Sequence, residues 1–284
     1  MTQFPLSPEH IIMVDIAVVD YGMGNLRSVQ QALRAVAPDA SIAVTGDPHV
    51  VAQAARVVFP GQGAMPDCMR ELDARGLRAS VLQAARNKPF LGICIGLQML
   101  FEHSAEGNIP GLGILPGKVV RFASDLRDEH GNKLKVPHMG WNQVHRVLGP
   151  LMEPLATRLD GRAAKSLVIP KGEGTIALSP SGAVNSASGK PDSGLRTFGG
   201  KLDRGLGAEH PLWQGIDQDA RFYFVHSYYV QPQDAMLVQA TSDYPQPFVC
   251  AVARDNLVAV QFHPEKSQSA GLTLLRNFVN WNPV

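Results

Sequence analysis

The chain has 284 residues, of which 45% are hydrophobic, as is typical of a globular protein with one or two domains. Its 26 Lys and Arg nearly balance 25 Asp and Glu, which argues against a nucleic-acid surface or a basic membrane-binding face. No apolar run reaches the roughly 18 residues of a transmembrane helix, and the first residues lack the basic start of a signal peptide. The widely spaced Cys68, Cys94 and Cys250 suit a reducing cytoplasm better than a disulfide framework or a zinc site.

The first hundred residues alternate short apolar runs with helical patterns. The apolar runs predict strands over 16–19, 41–44, 56–59 and 89–93. The helical patterns predict helices over 26–36, 47–54, 67–87 (broken near Gly76) and 95–101. This alternation predicts an α/β fold with an open, mostly parallel sheet covered by helices on both faces. In such sheets, ligands bind at the carboxyl ends of the strands.

The pattern changes beyond Gly113. Further strands are predicted over 118–121, 142–147, 221–230, 236–241, 248–252 and 257–262. A helix over 267–281 closes the chain, and its predicted apolar face consists of Leu272, Leu275, Phe278 and Val279. Residues 149–209 are rich in Gly, Ser, Pro and Lys, which predicts an insertion that is either disordered or a loose surface excursion.

Cys94 lies in Gly-Ile-Cys-Ile-Gly, between a predicted strand and a predicted helix. A lone cysteine in an apolar stretch is usually a small buried hydrophobe. Here, however, the glycines on both sides permit the sharp turn of a nucleophile elbow, with cysteine in place of serine. The helix N-terminus would favour the thiolate, so Cys94 is the candidate nucleophile.

His263 and Glu265 follow the last predicted strand and are separated by Pro264. Residues two apart on an extended segment point the same way. A histidine can exchange a proton near neutral pH, and a carboxylate can fix its tautomer and stabilise its cation. Taken alone, the pair could be a surface turn at a strand end. Together with the elbow, it predicts a Cys–His–Glu catalytic triad.

Two glycine-containing loops accompany these parts. Gly63, in the Pro-Gly-Gln-Gly loop after the third predicted strand, and the N–H of Ile95 are candidate oxyanion donors, although the loop alone would be an ordinary turn. Gly22-Met-Gly-Asn-Leu-Arg27 does not complete the dinucleotide-binding glycine pattern, because Arg27 stands where that pattern requires its last glycine.

Residues 92–98 (Gly-Ile-Cys-Ile-Gly-Leu-Gln) together with 263–265 (His-Pro-Glu) resemble the class I, or triad, glutamine amidotransferases. Residues 20–26, 136–142 and 223–228 are similar to segments of one family in that class, the glutaminase subunits of imidazole glycerol phosphate synthase in histidine biosynthesis. The Pro-His-Met-Gly-Trp-Asn run within 136–142 is the most specific marker. The resemblance covers residues 13–284 apart from 149–209, so a single amidotransferase domain is expected.

The resemblance implies a glutaminase that needs neither a cofactor nor a metal. Cys94 would attack the side-chain amide of glutamine, and His263, oriented by Glu265, would protonate the departing ammonia. The backbone N–H groups of Ile95 and Gly63 would hold the oxyanion. The glutamine pocket would be lined by Gln98, Glu106, Ser227 and Tyr228.

The resemblance also implies a heterodimer with a (β/α)8-barrel cyclase, and no nucleic-acid or membrane partner. The cyclase would use the ammonia to form imidazole glycerol phosphate and an aminoimidazole carboxamide ribotide. Trp141, Tyr223 and Lys266 match positions at or near that interface. From the residues alone, each is more typical of something simpler: a core tryptophan, a strand tyrosine and a solvated lysine at a helix start.

Three departures and three alternatives accompany the resemblance. The largest departure is the central segment 149–209, because the family normally connects the equivalents of Val147 and His210 by only a few residues. Gln62 stands where the family often has a small apolar residue, and residues 1–12 form an extra leader, so we expect translation to start at Met13. The alternatives are the glutaminase of another amidotransferase, a stand-alone γ-glutamyl hydrolase and a catalytically idle binding subunit. Residues 136–142 argue against the first of these, and the complete Cys94, His263 and Glu265 set argues against the last.

Overall fold

The computed structural model describes residues 14–147 and 210–283. The predicted leader over 1–12 and the predicted insertion over 149–209 lie outside the described residues, as does the expected start at Met13. The helices are α1 (Leu26–Val36), α2 (Pro48–Gln53), α3 (Met65–Ala74), α4 (Arg78–Asn87), α5 (Ile95–Gln98) and α6 (Gln268–Asn280). Single 3-10 turns cover Pro211–Trp213, Ala235–Leu237 and Pro264–Lys266.

Fourteen strands are found in the described residues. Those before the gap are β1 (Ile16–Val19), β2 (Ile42–Thr45), β3 (Arg56–Gly61), β4 (Phe90–Cys94), β5 (Phe101–Ser104), β6 (Ile109–Pro110), β7 (Leu115–Arg121), β8 (His138–Gln143) and β9 (His145–Arg146). Those after it are β10 (Arg221–His226), β11 (Tyr228–Pro232), β12 (Val238–Asp243), β13 (Pro247–Arg254) and β14 (Leu257–Val260).

A twelve-stranded sheet organises the described part of the chain. Its main path runs β2-β1-β3-β4-β14-β13-β11-β7-β5-β6, and β12 and β9 extend it beside β13. Neighbouring strands along the β2-β1-β3-β4-β14 part of this path pair in parallel. Strand β13 pairs antiparallel with β14, β11 and β12. The predicted fold class, an open α/β sheet with additional antiparallel strands, is confirmed.

Both faces of the parallel part are buried. Along β1, Ile16 and Val18 pack into one hydrophobic core, and Ala17 and Val19 pack into the other. Successive side chains of a strand point to opposite faces, so covering both faces requires an unbroken apolar run. Helix α6 contributes to the first core and helices α3 and α4 to the second.

The parallel order places three strand ends side by side. Gly61 at the end of β3 pairs with Cys94 at the end of β4, and Val260 of β14 pairs with Ile93. The loop after β3, the elbow after β4 and the segment after β14 therefore emerge at one edge of the sheet. This edge is where ligands are expected in an open α/β fold.

Two predicted elements are wrong because pairing with distant strands overrides the local pattern. The helix predicted over 95–101 ends at Gln98, and Phe101 instead begins β5, where it pairs with Leu115. The strand predicted over 142–147 is divided between β8 and β9, which pair with β10 and β12 respectively. A short apolar run fits a buried helix or a buried strand equally well.

A third predicted element, the strand over 221–230, is also divided. It breaks at Ser227 into β10, which pairs with β8 in a separate two-stranded sheet, and β11, which joins the main sheet. On α6, Leu275 and Phe278 are buried as predicted, but Leu274 is buried as well, whereas Leu272 and Val279 are only partly buried.

Candidate active site

Cys94 lies at the turn between β4 and α5. Its backbone has φ 56° and ψ −112°, a left-handed conformation that is rare for a residue with a side chain. Such strain costs on the order of 1–3 kcal/mol and is typical of functional turns. The conformation aims the side chain away from the strand, as in the nucleophile elbows of hydrolases.

Two glycines allow this elbow to pack closely against neighbouring strands. A Cβ atom on Gly96 would lie 1.9 Å from the carbonyl oxygen of Phe59 on β3. A Cβ atom on Gly92 would lie 2.9 Å from the Cβ of Ala259 on β14. The Gly-x-Cys-x-Gly pattern therefore reflects steric contact with the strands on both sides of β4.

His263 and Glu265 lie just beyond β14, next to the elbow. Oε1 of Glu265 is 2.8 Å from Nδ1 of His263, and both side chains are only 2% exposed. The carboxylate accepts a hydrogen bond from the Nδ1–H group, which leaves Nε2 as the nitrogen available for proton transfer.

The surroundings of His263 favour its cation. Burial alone would lower its pKa, but negative charge at Cys94 and Glu265 outweighs burial and raises the pKa to about 10. An imidazolium beside Cys94 at neutral pH can give its proton to a leaving group directly.

A cavity of about 530 Å³ opens at this edge of the sheet. It is lined by Cys94 and His263, while Glu265 lies behind the histidine. All six residues predicted to bind the oxyanion or glutamine also line it, namely Gly63, Ile95, Gln98, Glu106, Ser227 and Tyr228. Their common position is compatible with one substrate site.

The loop after β3 forms one wall of the cavity. Gly63 has φ 109°, a conformation that glycine adopts without strain. The preceding carbonyl, that of Gln62, accepts a hydrogen bond from the thiol of Cys68 at 3.5 Å. Glu106 supports the same wall, because Oε2 accepts a hydrogen bond from the N–H of Met65 at 2.9 Å.

Trp141, Tyr223 and Lys266 form one cluster at the rim of the cavity. The rings of Trp141 and Tyr223 lie 6.1 Å apart on paired strands, and Nζ of Lys266 lies 5.8 Å from the Tyr223 ring centre. Trp141 is 41% exposed and neighbouring Met139 is 62% exposed, so Trp141 is not the core tryptophan of the simpler interpretation. Tyr223 and Lys266 also line the cavity, but Trp141 does not.

Sequence reasoning did not assign a role to His138 or His226, which form a buried hydrogen-bonded pair. Nδ2 of Asn142 donates to the carbonyl of Asp243 at 2.8 Å, so this amide also faces Nε2 of His138 as a donor, at 3.3 Å. Nδ1–H of His138 then donates to Nε2 of His226 at 3.0 Å, and Nδ1–H of His226 donates to the carbonyl of Tyr228 at 2.8 Å. This series of hydrogen bonds requires the imidazoles of His138 and His226 to be neutral.

Gln261 is the second residue that sequence reasoning missed. It is fully buried and its amide Nε2 lies 3.8 Å from the sulfur of Cys94. The signal that could have found it is its position two residues before His263, because the sequence predicts an extended segment there and alternate residues of such a segment share a face. In the structure, Glu265 instead lies in the 3-10 turn Pro264–Lys266.

Within 14–147 and 210–283, no group of three or more His, Cys, Asp or Glu side chains is arranged to hold a metal ion. In the same two ranges, no helix is long and apolar enough to cross a membrane.

The fold and the elbow are compatible with acyl transfer through a cysteine, and comparison with known proteins specifies the class of protein. A family model described as glutamine amidotransferase class-I matches residues 17–281. In the solved structures, a protein described as a GMP synthase component from Thermoplasma acidophilum is 16% identical with a TM-score of 0.54. The alignment covers 95% of this chain and 94% of that one, and at this identity it supports the fold alone.

Curated relatives are much more similar. The imidazole glycerol phosphate synthase subunit HisH of Nitrosospira multiformis is 54% identical over 273 residues, which cover 96% of this chain and all of that protein. The subunit of the same name from Thiobacillus denitrificans is 52% identical over 271 residues, covering 95% of this chain and 92% of that protein. The chain therefore belongs to the class I glutamine amidotransferases and, within them, to the HisH family.

Proposed function

We propose that this chain hydrolyses glutamine to glutamate and ammonia as the glutaminase subunit of an imidazole glycerol phosphate synthase in histidine biosynthesis. The observation that carries the proposal is the meeting of three parts at the ends of β4 and β14. These parts are the strained elbow at Cys94, the His263–Glu265 pair and the cavity that opens over both. The names of the HisH relatives support the assignment to this synthase.

The residues permit a two-stage reaction. Sγ of Cys94 attacks the side-chain amide carbon of glutamine, and the N–H groups of Ile95 and Gly63 hold the oxyanion. Nε2–H of His263 protonates the amide nitrogen as the carbon–nitrogen bond breaks, so ammonia leaves and a γ-glutamyl thioester remains. Water then gives a proton to Nε2 and attacks the thioester, which releases glutamate and restores the sulfur.

The cavity supports glutamine as the substrate. Gln98 and Glu106 supply polar side chains to its lining, and Ser227 and Tyr228 line it at the break between β10 and β11. A few convergent polar groups in a mostly formed cavity are what fix the orientation of a small ligand.

A (β/α)8-barrel cyclase is the proposed partner, in a cytoplasmic heterodimer. The exposed Met139 and Trp141 lie next to Tyr223 and Lys266, at the mouth of the cavity. A partner that covers this cluster would bury apolar surface and shield the cavity from water. Ammonia released beneath it would pass to the partner before water could protonate it.

Glutamate release, measured with and without the cyclase and its nucleotide ligand, tests the proposal. We expect strong activation that requires both additions. Full activity of the chain alone would favour a stand-alone hydrolase, and no activity under any condition would favour an idle subunit. Cys94→Ala should abolish release without unfolding, whereas the matched variant Cys250→Ala, at a buried cysteine that does not line the cavity, should retain it.

A further inference from the structure

Two buried glutamine side chains connect a backbone carbonyl of β11 to the candidate nucleophile. Nε2 of Gln98 donates to the carbonyl of Tyr228 at 3.1 Å and to Oε1 of Gln261 at 3.0 Å. The backbone carbonyl of Tyr228 can only accept, so the amide of Gln98 must present its nitrogen to it. The opposite orientation would place two acceptor oxygens against each other in a buried site, which is costly.

The orientation of Gln98 determines that of Gln261. Because Oε1 of Gln261 accepts from Gln98, the nitrogen of the same amide must point the other way. It points toward Sγ of Cys94, at 3.8 Å. Gln261 is 0% exposed, so water does not compete for its amide. The donors therefore run from Gln98 through Gln261 to the sulfur, while the second N–H of Gln98 is held by the Tyr228 carbonyl.

We infer that Gln261 is a positioning residue whose amide N–H holds Sγ of Cys94 and stabilises the negative charge that the sulfur carries when it attacks and when it leaves. This inference rests on the proposed glutaminase function, because it assigns Gln261 to the same reaction.

The amide and the imidazole would act differently on the sulfur. His263 follows Gln261 by two residues in the segment that leads out of β14, and both side chains lie next to the elbow. His263 exchanges a proton during the reaction. The amide of Gln261 does not titrate, so its effect on the sulfur persists at every step and every pH. A donor that faces a thiolate stabilises it relative to the thiol.

Gln261→Met is the test variant, because it keeps the length of the side chain and removes the donor. The rate of Cys94 alkylation by iodoacetamide is followed against pH by peptide mass spectrometry in the isolated chain. We expect the midpoint of this profile to rise by about one pH unit, the shift that a modest charge-assisted hydrogen bond carries. With the cyclase and its nucleotide ligand, kcat for glutamate release should fall about tenfold with little change in KM.

Gln239→Met, on β12 and away from the cavity, is the matched control and should leave both measurements unchanged. Gln261→Asn, which keeps an amide but shortens its reach, should behave like Gln261→Met and replaces it if the methionine variant does not fold. An unchanged alkylation profile in a folded variant at position 261 would overturn the inference, whatever happens to kcat.

The two proposals fail separately. If the wild-type complex releases no glutamate, the proposed function is wrong, while the alkylation profile still reports whether Gln261 acts on the sulfur. If the wild-type complex is active but the profile of the variant matches that of the wild type, only the role of Gln261 is wrong.

Discussion

Acidification should destabilise the protein through the buried pair His138 and His226. Burial lowers the pKa of His138 to about 4 and that of His226 to about 3. A histidine in an unfolded chain has a pKa of about 6.5. The unfolded state therefore binds protons first as the pH falls, so stability is complete above about pH 6.5 and decreases toward pH 4.

The size of the effect follows from the gap between these pKa values. At pH 5, an unfolded histidine gains about 2 kcal/mol from protonation, while a folded one with a pKa of about 4 gains almost nothing. The two histidines together should therefore lower the free energy of unfolding by up to about 4 kcal/mol when the pH falls from 7.5 to 5. This is a large part of the roughly 5–15 kcal/mol that stabilises a typical domain.

Urea unfolding of the wild type and of His138→Gln, followed by circular dichroism at several pH values between about 7.5 and 5, measures the effect. The variant should be less stable at pH 7.5 but should lose about 2 kcal/mol less on acidification, because one buried imidazole is absent. Carboxylates common to both proteins cancel in this difference. The matched variant His103→Gln removes an exposed histidine of β5, and its free energy of unfolding should depend on pH as that of the wild type does. If the wild type and His138→Gln lost the same free energy of unfolding between pH 7.5 and pH 5, the reasoning would be refuted.

Three further changes test the elbow, the triad and the rim. Glu265→Gln should lower kcat by about 10²- to 10⁴-fold with little change in KM, because the amide no longer stabilises the imidazolium; near-normal turnover would contradict this role. Gly96→Ala should unfold the protein or lower its Tm strongly, because the added methyl group would overlap the Phe59 carbonyl; a wild-type melting curve would be the contrary result. Lys266→Ala should weaken cyclase binding in a calorimetric titration and reduce activation, and unchanged affinity and activation would argue against an interface position.

Local patterns were sufficient for much of the fold. Helix α1 and strand β1 begin and end where their patterns predict, because β1 is an unbroken apolar run and α1 repeats apolar residues at helical spacing. The elbow could also be predicted from the sequence, because its two glycines occur where a larger residue would clash with the neighbouring strands. The fold class followed from the alternation of strands and helices in the first hundred residues.

The features that could not be predicted from the sequence depend on contacts between residues that are distant in the sequence. Phe101 begins a strand because Leu115 pairs with it, and the break at Ser227 exists because β10 and β11 join different sheets. Gln261 could be seen next to His263, but the direction of its amide is determined by Gln98, 163 residues away. Strand pairings and hydrogen bonds between distant residues leave no pattern in the sequence around either residue.

The carbonyl oxygen of Tyr228 restricts how this residue could take part in the proposed recognition of glutamine. It accepts hydrogen bonds from Nδ1 of His226 and Nε2 of Gln98, and a carbonyl oxygen has only two lone pairs. Both acceptor positions are occupied before any substrate arrives. In the proposed glutamine site, Tyr228 would therefore contact the substrate only through its other atoms, and any ligand group that competed for this oxygen would have to break a buried hydrogen bond first.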